Sequence, residues 1–548
     1  MACLWHTIDD LGILLGSDHH NSHTLIPMKR FLASFLMLIL TVPFGPEHVR
    51  GDEGMYLFNE LPLEVLESRY GFEPAEKWSD DLRLSSVRFN SGGSGSFISS
   101  SGLVLTNHHV ASDTLHKLST PERNLIDDGF LAKSLDEELK APDLELNQLV
   151  SIEDVTERVN AAVKPEASPE EAAKQRRAVI ATIEKESLDK TGLRSDVITL
   201  FGGARYQLYR YKKYTDVRLV WAPETAAAFF GGDADNFEYP RYNLDATIMR
   251  VYEDGKPAKL EHYLRWDRAP IESGELVFVS GNPGRTQRIF TVDALTYLRD
   301  DRLPYVLDYL RRKEILLQQF SLGGKEATRR ARDELFGIQN ARKAYTGMLA
   351  GLQNPDTLQV KQQLESQLLD QLRADPKLDD FIPAWQEVSE AQAAKRELLG
   401  QSVSFRSRLY EIAMELVLIA AEDLKPNEER LKGYSESARE SLLQSLLSTA
   451  PIYDDLEQVK LADEIARLVE QRGGDDELVG KVLDGMGPRE RAAALVAGTK
   501  LQEVAERKKL LDGGQAAISA SDDPIIKLAL LLEPEYRRLR GANEKIEE

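Results

Sequence analysis

A chain of 548 residues exceeds one domain, and 42% apolar with 29% charged residues is enough to build sizeable cores. A formal net charge of −21 argues against nucleic acid or an anionic lipid surface as a partner. The single cysteine, Cys3, excludes disulfides, a cysteine zinc site and a thiolate nucleophile from the body of the protein.

Met28-Lys29-Arg30 precedes an apolar run from Phe31 to Val42, the pattern of a secretory signal. The run is short for a membrane span. Residues 1–27 read as sequence upstream of a true start at Met28, and the mature end is expected near Gly51-Asp52. A periplasmic or secreted location follows, with no membrane contact beyond the signal.

Residues 86–110 read as strands around the turns Ser91–Gly95 and Ser100–Gly102. A helical insertion follows near 153–190, with Pro169, Glu170 and Glu171 opening its main run. Strand alternation returns from Val197, at Tyr206–Tyr211 and at Asp216–Trp221. A glycine- and aspartate-rich loop, Phe229–Arg241, leads into a strand at Ala246–Tyr252 and a turn at Glu253–Lys256. Leu276–Ser280 reads as a further strand. From 291 the spacing of Leu303, Val306, Leu307, Leu310 and Leu317 is helical. Ser521-Asp522-Asp523-Pro524 marks a late helix start, a capping acid followed by proline at the first helical position. Residues 52–290 are therefore largely β and 291–548 largely α, which predicts an α+β fold rather than a parallel sheet.

The chemistry points to Thr106-Asn107-His108-His109, where an apolar strand runs directly into two histidines. Of nine histidines in the chain, only His108, His109, His116 and His262 lie beyond residue 51. A histidine fixed at a strand end can serve as general base. Adjacent strand residues face opposite ways, which disfavours one metal ion shared by His108 and His109 and hence a zinc hydrolase. Asp245, at the start of an apolar strand, is the best candidate for a carboxylate that holds the ring. Asp233 and Asp235 read as turn formers in the glycine-rich loop. Ser94, in Gly92-Gly93-Ser94-Gly95, fits a G-x-S-G pattern, but its place in a hairpin loop argues against a nucleophile.

These segments resemble the bacterial dipeptidyl-peptidase 7 and 11 family, serine peptidase family 46. The resemblance rests on Thr106–His109, Gly231–Arg241 with Asp245, Asp52–Phe58, Tyr214–Pro223, Gly281–Gln287 and the Asp522–Pro534 region. It runs in order through 52–548. It implies a chymotrypsin-like β-barrel with a large inserted α-helical domain, and the second barrel is expected to be largely missing. It also implies release of dipeptides from peptides with a free N-terminus, no cofactor and no metal, and a homodimer.

By the same resemblance His109 is the catalytic histidine and Asp245 its acid. Asn236 and Phe237 correspond to an Asn-Trp pair that binds the substrate's N-terminal end, with phenylalanine here in place of tryptophan. Asn340 corresponds to a further substrate-binding asparagine in the helical domain. Val110 stands where the family often has cysteine. The nucleophilic serine belongs to a Gly-Asn-Ser-Gly turn of the second barrel and is expected to lie outside this chain. The rival reading is a non-catalytic peptide-binding protein or inactive relic. If the peptidase reading holds, a ring nitrogen of His109 should lie about 2.6–3.2 Å from an Asp245 oxygen.

Overall fold

The computed structural model describes residues 54–284, 287 and 289–547. The candidate signal and the expected mature end lie outside those residues. The chain divides into two compact units. One comprises the described residues up to Pro74 with Asp267–Val279, and the other Ala75–Trp266 with Ser280–Glu548.

In the first unit a helix spans Leu63–Tyr70 and stops at Gly71, whose left-handed φ of 62° suits glycine. Phe72 packs on Phe278, with ring centroids 5.4 Å apart. The strand expected at Leu276–Ser280 does not form. Its continuous apolar run has the right composition, but among the described residues no strand pairs with it. Val277 and Val279 are left exposed. A strand needs a partner for its backbone hydrogen bonds, and composition alone does not supply one.

The second unit holds an antiparallel sheet of eleven strands. The first three follow the expected hairpins: β1 Ser86–Phe89, β2 Ser94–Phe97 and β3 Leu103–Thr106. Gly95 sits where a side chain would meet the Phe89 ring at 2.9 Å and the Leu105 carbonyl at 3.0 Å, so only glycine fits. Next come the short β4 Phe130–Leu131 and β5 Leu139–Lys140, then β6 Leu146–Asp154. The remaining strands are β7 Arg194–Leu200, β8 Arg205–Tyr214, β9 Asp216–Ala222, β10 Thr247–Glu253 and β11 Lys256–Pro257.

The main hydrogen-bonded path is β4-β9-β10-β3-β2-β1-β6-β8-β7. Strands β8 and β9 stand near opposite ends of it, yet only Thr215 separates them in sequence. A one-residue link cannot cross a flat sheet of that width. The sheet therefore rolls until its ends meet. One apolar cluster confirms this, because Val87, Phe97, Val104, Leu146, Val217 and Met249, from strands all along the path, pack together.

The insertion is two helices, Thr156–Ala161 and Pro169–Thr191. The second starts with a capping box in which the Ser168 side chain takes the Glu171 N–H and the Glu171 side chain takes the Ser168 N–H. Past Val292 every regular element among the described residues is helical. The core of this part is the helix Arg408–Glu422, apolar on almost every side, which buries Leu409, Ile412, Leu416 and Ile419 against its neighbours. Helices and sheet share one compact unit. Glu145, fully buried at the sheet, takes hydrogen bonds from Arg194 at 2.9 Å and from Ser441 of the helical region at 2.8 Å.

The late helix begins as its sequence predicts, at Pro524. Asp523 Oδ1 accepts the N–H groups of Ile525 at 2.9 Å and Ile526 at 3.2 Å, and its other oxygen takes the Thr499 hydroxyl at 2.7 Å. Replacing Asp523 with Ala should cost about 1–2 kcal/mol of unfolding free energy in urea, and replacement with Asn about half that.

Candidate active site

The histidine pair does not end a strand. β3 stops at Thr106, Asn107 takes an extended N-cap conformation, and the helix His108–Leu118 begins. Asparagine favours that capping position, and the chain turns there. In a first helical turn, neighbours point about 100° apart rather than to opposite faces. His108 turns inward and is buried, and its Nε2 finds no partner. Burial lowers its pKa, outweighing the nearby Asp245 charge and a hydrogen bond at Pro223, and keeps the ring neutral. His109 turns outward, with its side chain 53% exposed.

Asp245 reaches this turn because β3 and β10 are paired, with Thr106 opposite Thr247. Two residues back from Thr247 and two or three on from Thr106, the carboxylate and the helix start coincide. Asp245 Oδ1 accepts the His109 backbone N–H at 3.0 Å, and Oδ2 lies 2.7 Å from His109 Nδ1. Asn107 adds its amide N–H to the Asp245 carbonyl at 3.1 Å and to Oδ2 at 3.2 Å. One carboxylate thus caps the helix and orients the ring. Its negative charge also suits the positive end of the helix. Burial pushes the Asp245 pKa upward, but the hydrogen bonds and charge of His109 prevail and leave it below the usual carboxylate value.

The glycine-rich loop is anchored beside this acid. Leu244 N–H bonds the Ala227 carbonyl at 2.9 Å and closes the loop's stem one residue before Asp245. Within it a short helix, Gly232–Asp235, precedes Asn236, which is 8% exposed. Phe237 follows with a φ of 64°, uncommon for a residue with a side chain. The long helix Lys325–Gln353 lies against the loop. Asn236 Nδ2 donates to Asn340 Oδ1 at 3.0 Å, so the two asparagines singled out from sequence meet. Neither hydrogen-bonds His109. Phe229 stacks edge-on against Phe336 of the long helix, centroids 5.0 Å apart. The same helix touches the histidine helix, where Ser112 donates to Asp333 at 2.7 Å.

Ser94 has a different partner. Its Oγ accepts the Asn282 N–H at 2.6 Å, and the Gly281-Asn282 turn packs on it. Among the described residues no serine hydroxyl hydrogen-bonds His109. Asp233 pairs with Arg342 at 3.2 Å rather than with a histidine. Sequence reading passed over Asn107, Arg241 and Lys343. Asn107 and Arg241 lie inside the quoted motifs, and Lys343 stands three residues beyond Asn340, one helical turn along the same face.

Residues 51–548 match the Peptidase S46 family. The chain is 29% identical over 534 residues to the Asp/Glu-specific dipeptidyl-peptidase of Shewanella putrefaciens, covering 91% of this chain and 71% of that protein. It is 31% identical over 275 residues to dipeptidyl-peptidase 7 of Capnocytophaga gingivalis, covering 47% of this chain and 38% of the relative. The crystal structure of Porphyromonas endodontalis DPP11 with the dipeptide Arg-Glu superposes with a TM-score of 0.67 at 21% identity, over 91% of this chain and 75% of that one. The fold is therefore the α+β arrangement with a helical domain seen in that enzyme.

A pH prediction follows from Asp245. Its folded-state pKa lies below the ordinary 3.8, so its stabilising contribution is complete above that value and is lost as pH falls through the lower one. Urea unfolding of the wild type and of Asp245→Asn should differ near neutrality and converge as pH falls through the lowered folded-state pKa of Asp245. A constant gap across that range would show that the charge of Asp245 is not engaged.

Proposed function

The chain belongs to the Peptidase S46 family, and from that premise we propose a secreted serine dipeptidyl-peptidase that removes dipeptides from free peptide N-termini. The observation that carries this reading is the contact of His109 Nδ1 with Asp245 at 2.7 Å. With Nδ1–H donated to the carboxylate, Nε2 keeps its lone pair for a serine hydroxyl. The ring is half exposed, so a nucleophile can approach it.

The serine oxygen adds to the carbonyl carbon of the second substrate residue while His109 takes its proton. The tetrahedral adduct then collapses, the C–N bond breaks, and His109 returns the proton to the leaving amine. Water repeats the sequence on the acyl-enzyme and frees the dipeptide. Asp245 stays ionised throughout and stabilises the imidazolium.

The substrate's ammonium group is a compact cation with three donors. Asn236 Oδ1 and Asn340 Oδ1 each retain a lone pair beyond the hydrogen bonds they already make. Together they form the neutral acceptor pair for that group, and Phe237 forms an aromatic wall beside it. Dipeptide length follows when this end of the cleft is closed. The nucleophile in this reading is a serine other than Ser94. Periplasmic or extracellular location and assembly as a homodimer belong to the same proposal.

A fluorogenic dipeptide assay tests it. In a family member with a serine at that ring, the counterpart of His109→Ala should lower kcat by at least about 10³-fold. The counterpart of Asn236→Ala should act mainly on KM. Robust turnover by this chain, abolished by Ser94→Ala, would contradict the assignment.

A further inference from the structure

Asn236 is held from two directions, and neither hold follows from the family match. Its side-chain oxygen accepts a hydrogen bond from Arg241 Nη1 at 3.0 Å. The Arg241 guanidinium in turn lies over the Phe229 ring, 4.5 Å from its centroid. Its backbone is held by Lys343. The Lys343 ammonium donates to the carbonyls of Asp233 at 2.6 Å, Ala234 at 2.7 Å and Asn236 at 2.7 Å. An ammonium has three N–H donors, and here each meets one carbonyl.

Those carbonyls lie at the C-terminal end of the short helix Gly232–Asp235 and on its capping residue Asn236, and that of Asp233 also accepts the Asn236 N–H at 3.2 Å. A cation is favoured at such an end. The last of them, Asn236 O, belongs to the peptide that leads into Phe237 and its left-handed backbone. Lys343 therefore fixes the peptide plane between the two residues proposed to face the substrate.

The anchor comes from the helical region. Asn340 and Lys343 lie three residues apart on one helix, so they share a face. One reaches the Asn236 side chain and the other its backbone. A positive charge so near an amine-binding site would repel the substrate unless it were offset. The three carbonyl dipoles offset it, and Glu238 adds a carboxylate 4.0 Å away.

We propose that Lys343 is a positioning residue for substrate binding, setting the pose of Asn236 and Phe237 by clamping the backbone of 233–236. This rests on the reading of Asn236 as an acceptor for the peptide N-terminus. It deepens that reading by tying recognition of the free amine to one lysine of the helical region.

Calorimetric titration with the dipeptide Ala-Phe and with its N-acetyl form tests the proposal. The wild type, Asn236→Ala, Lys343→Met and Lys343→Arg are compared. The wild type should prefer the free amine, and Asn236→Ala should remove the preference. Lys343→Met should weaken binding of the free dipeptide about tenfold while leaving the acetylated one nearly unchanged. Lys343→Arg should recover part of the loss, since a guanidinium can still donate to more than one of the carbonyls. Thermal unfolding of Lys343→Met within a few degrees of the wild type identifies the loss as local. If Lys343→Met binds both ligands as the wild type does while Asn236→Ala loses the preference, the positioning role is wrong and the amine site stands. If the wild type shows no preference, the amine site is wrong and the lysine's role falls with it.

Discussion

The site depends on one carboxylate that satisfies two requirements at once. Asp245 takes the first-turn N–H of the histidine helix with one oxygen and the His109 ring with the other. A helix start leaves backbone donors without partners, and a general base needs a fixed ring and a fixed tautomer. Here the same group meets both needs. The helix therefore cannot shift without moving the ring's partner, and the ring cannot rotate without losing it. The pairing of Thr106 with Thr247 places that carboxylate, so the register of a sheet in the core sets the geometry of a surface site.

The second constraint is the long helix Lys325–Gln353. Its Asp333 meets the histidine helix at Ser112, while Phe336, Asn340 and Lys343 meet the glycine-rich loop. Asp333 and Asn340 lie seven residues apart, about 10 Å along a helix axis. A rigid rod thus spaces the histidine helix and the loop by a length the sequence fixes. The loop needs such a support. Its glycines and its left-handed Phe237 give it little intrinsic preference for one shape.

Much of this was legible in the sequence, for identifiable reasons. The strand segments within 86–106 and 206–252 are bounded by clear turn signals, and the helix starts at Pro169 and Pro524 carry a capping serine and a capping aspartate. His109 and Asp245, 136 residues apart, could be paired because each ends or begins an apolar run. Other features were not legible. The histidine pair reads as a strand end, since nothing in Leu103–Val110 shows that pairing stops at Thr106 and that a helix, capped by the distant Asp245, starts at His108. Leu276–Ser280 reads as a strand, since composition does not reveal whether a partner is present. Lys343 gives no local signal, because its ligands are carbonyls, which every residue carries. Its role is visible only once the helix and the loop are brought together.

The central claim is that Asp245 holds His109 in the tautomer that leaves Nε2 free to accept a proton. Nitrogen-15 NMR of the histidine side chains at neutral pH reads this directly. A strongly downfield proton on His109 Nδ1, with Nε2 unprotonated, is the expected result, and Asp245→Ala should abolish that signal. A ring protonated at Nε2 instead, or an Nδ1–H signal that survives Asp245→Ala, would contradict the account.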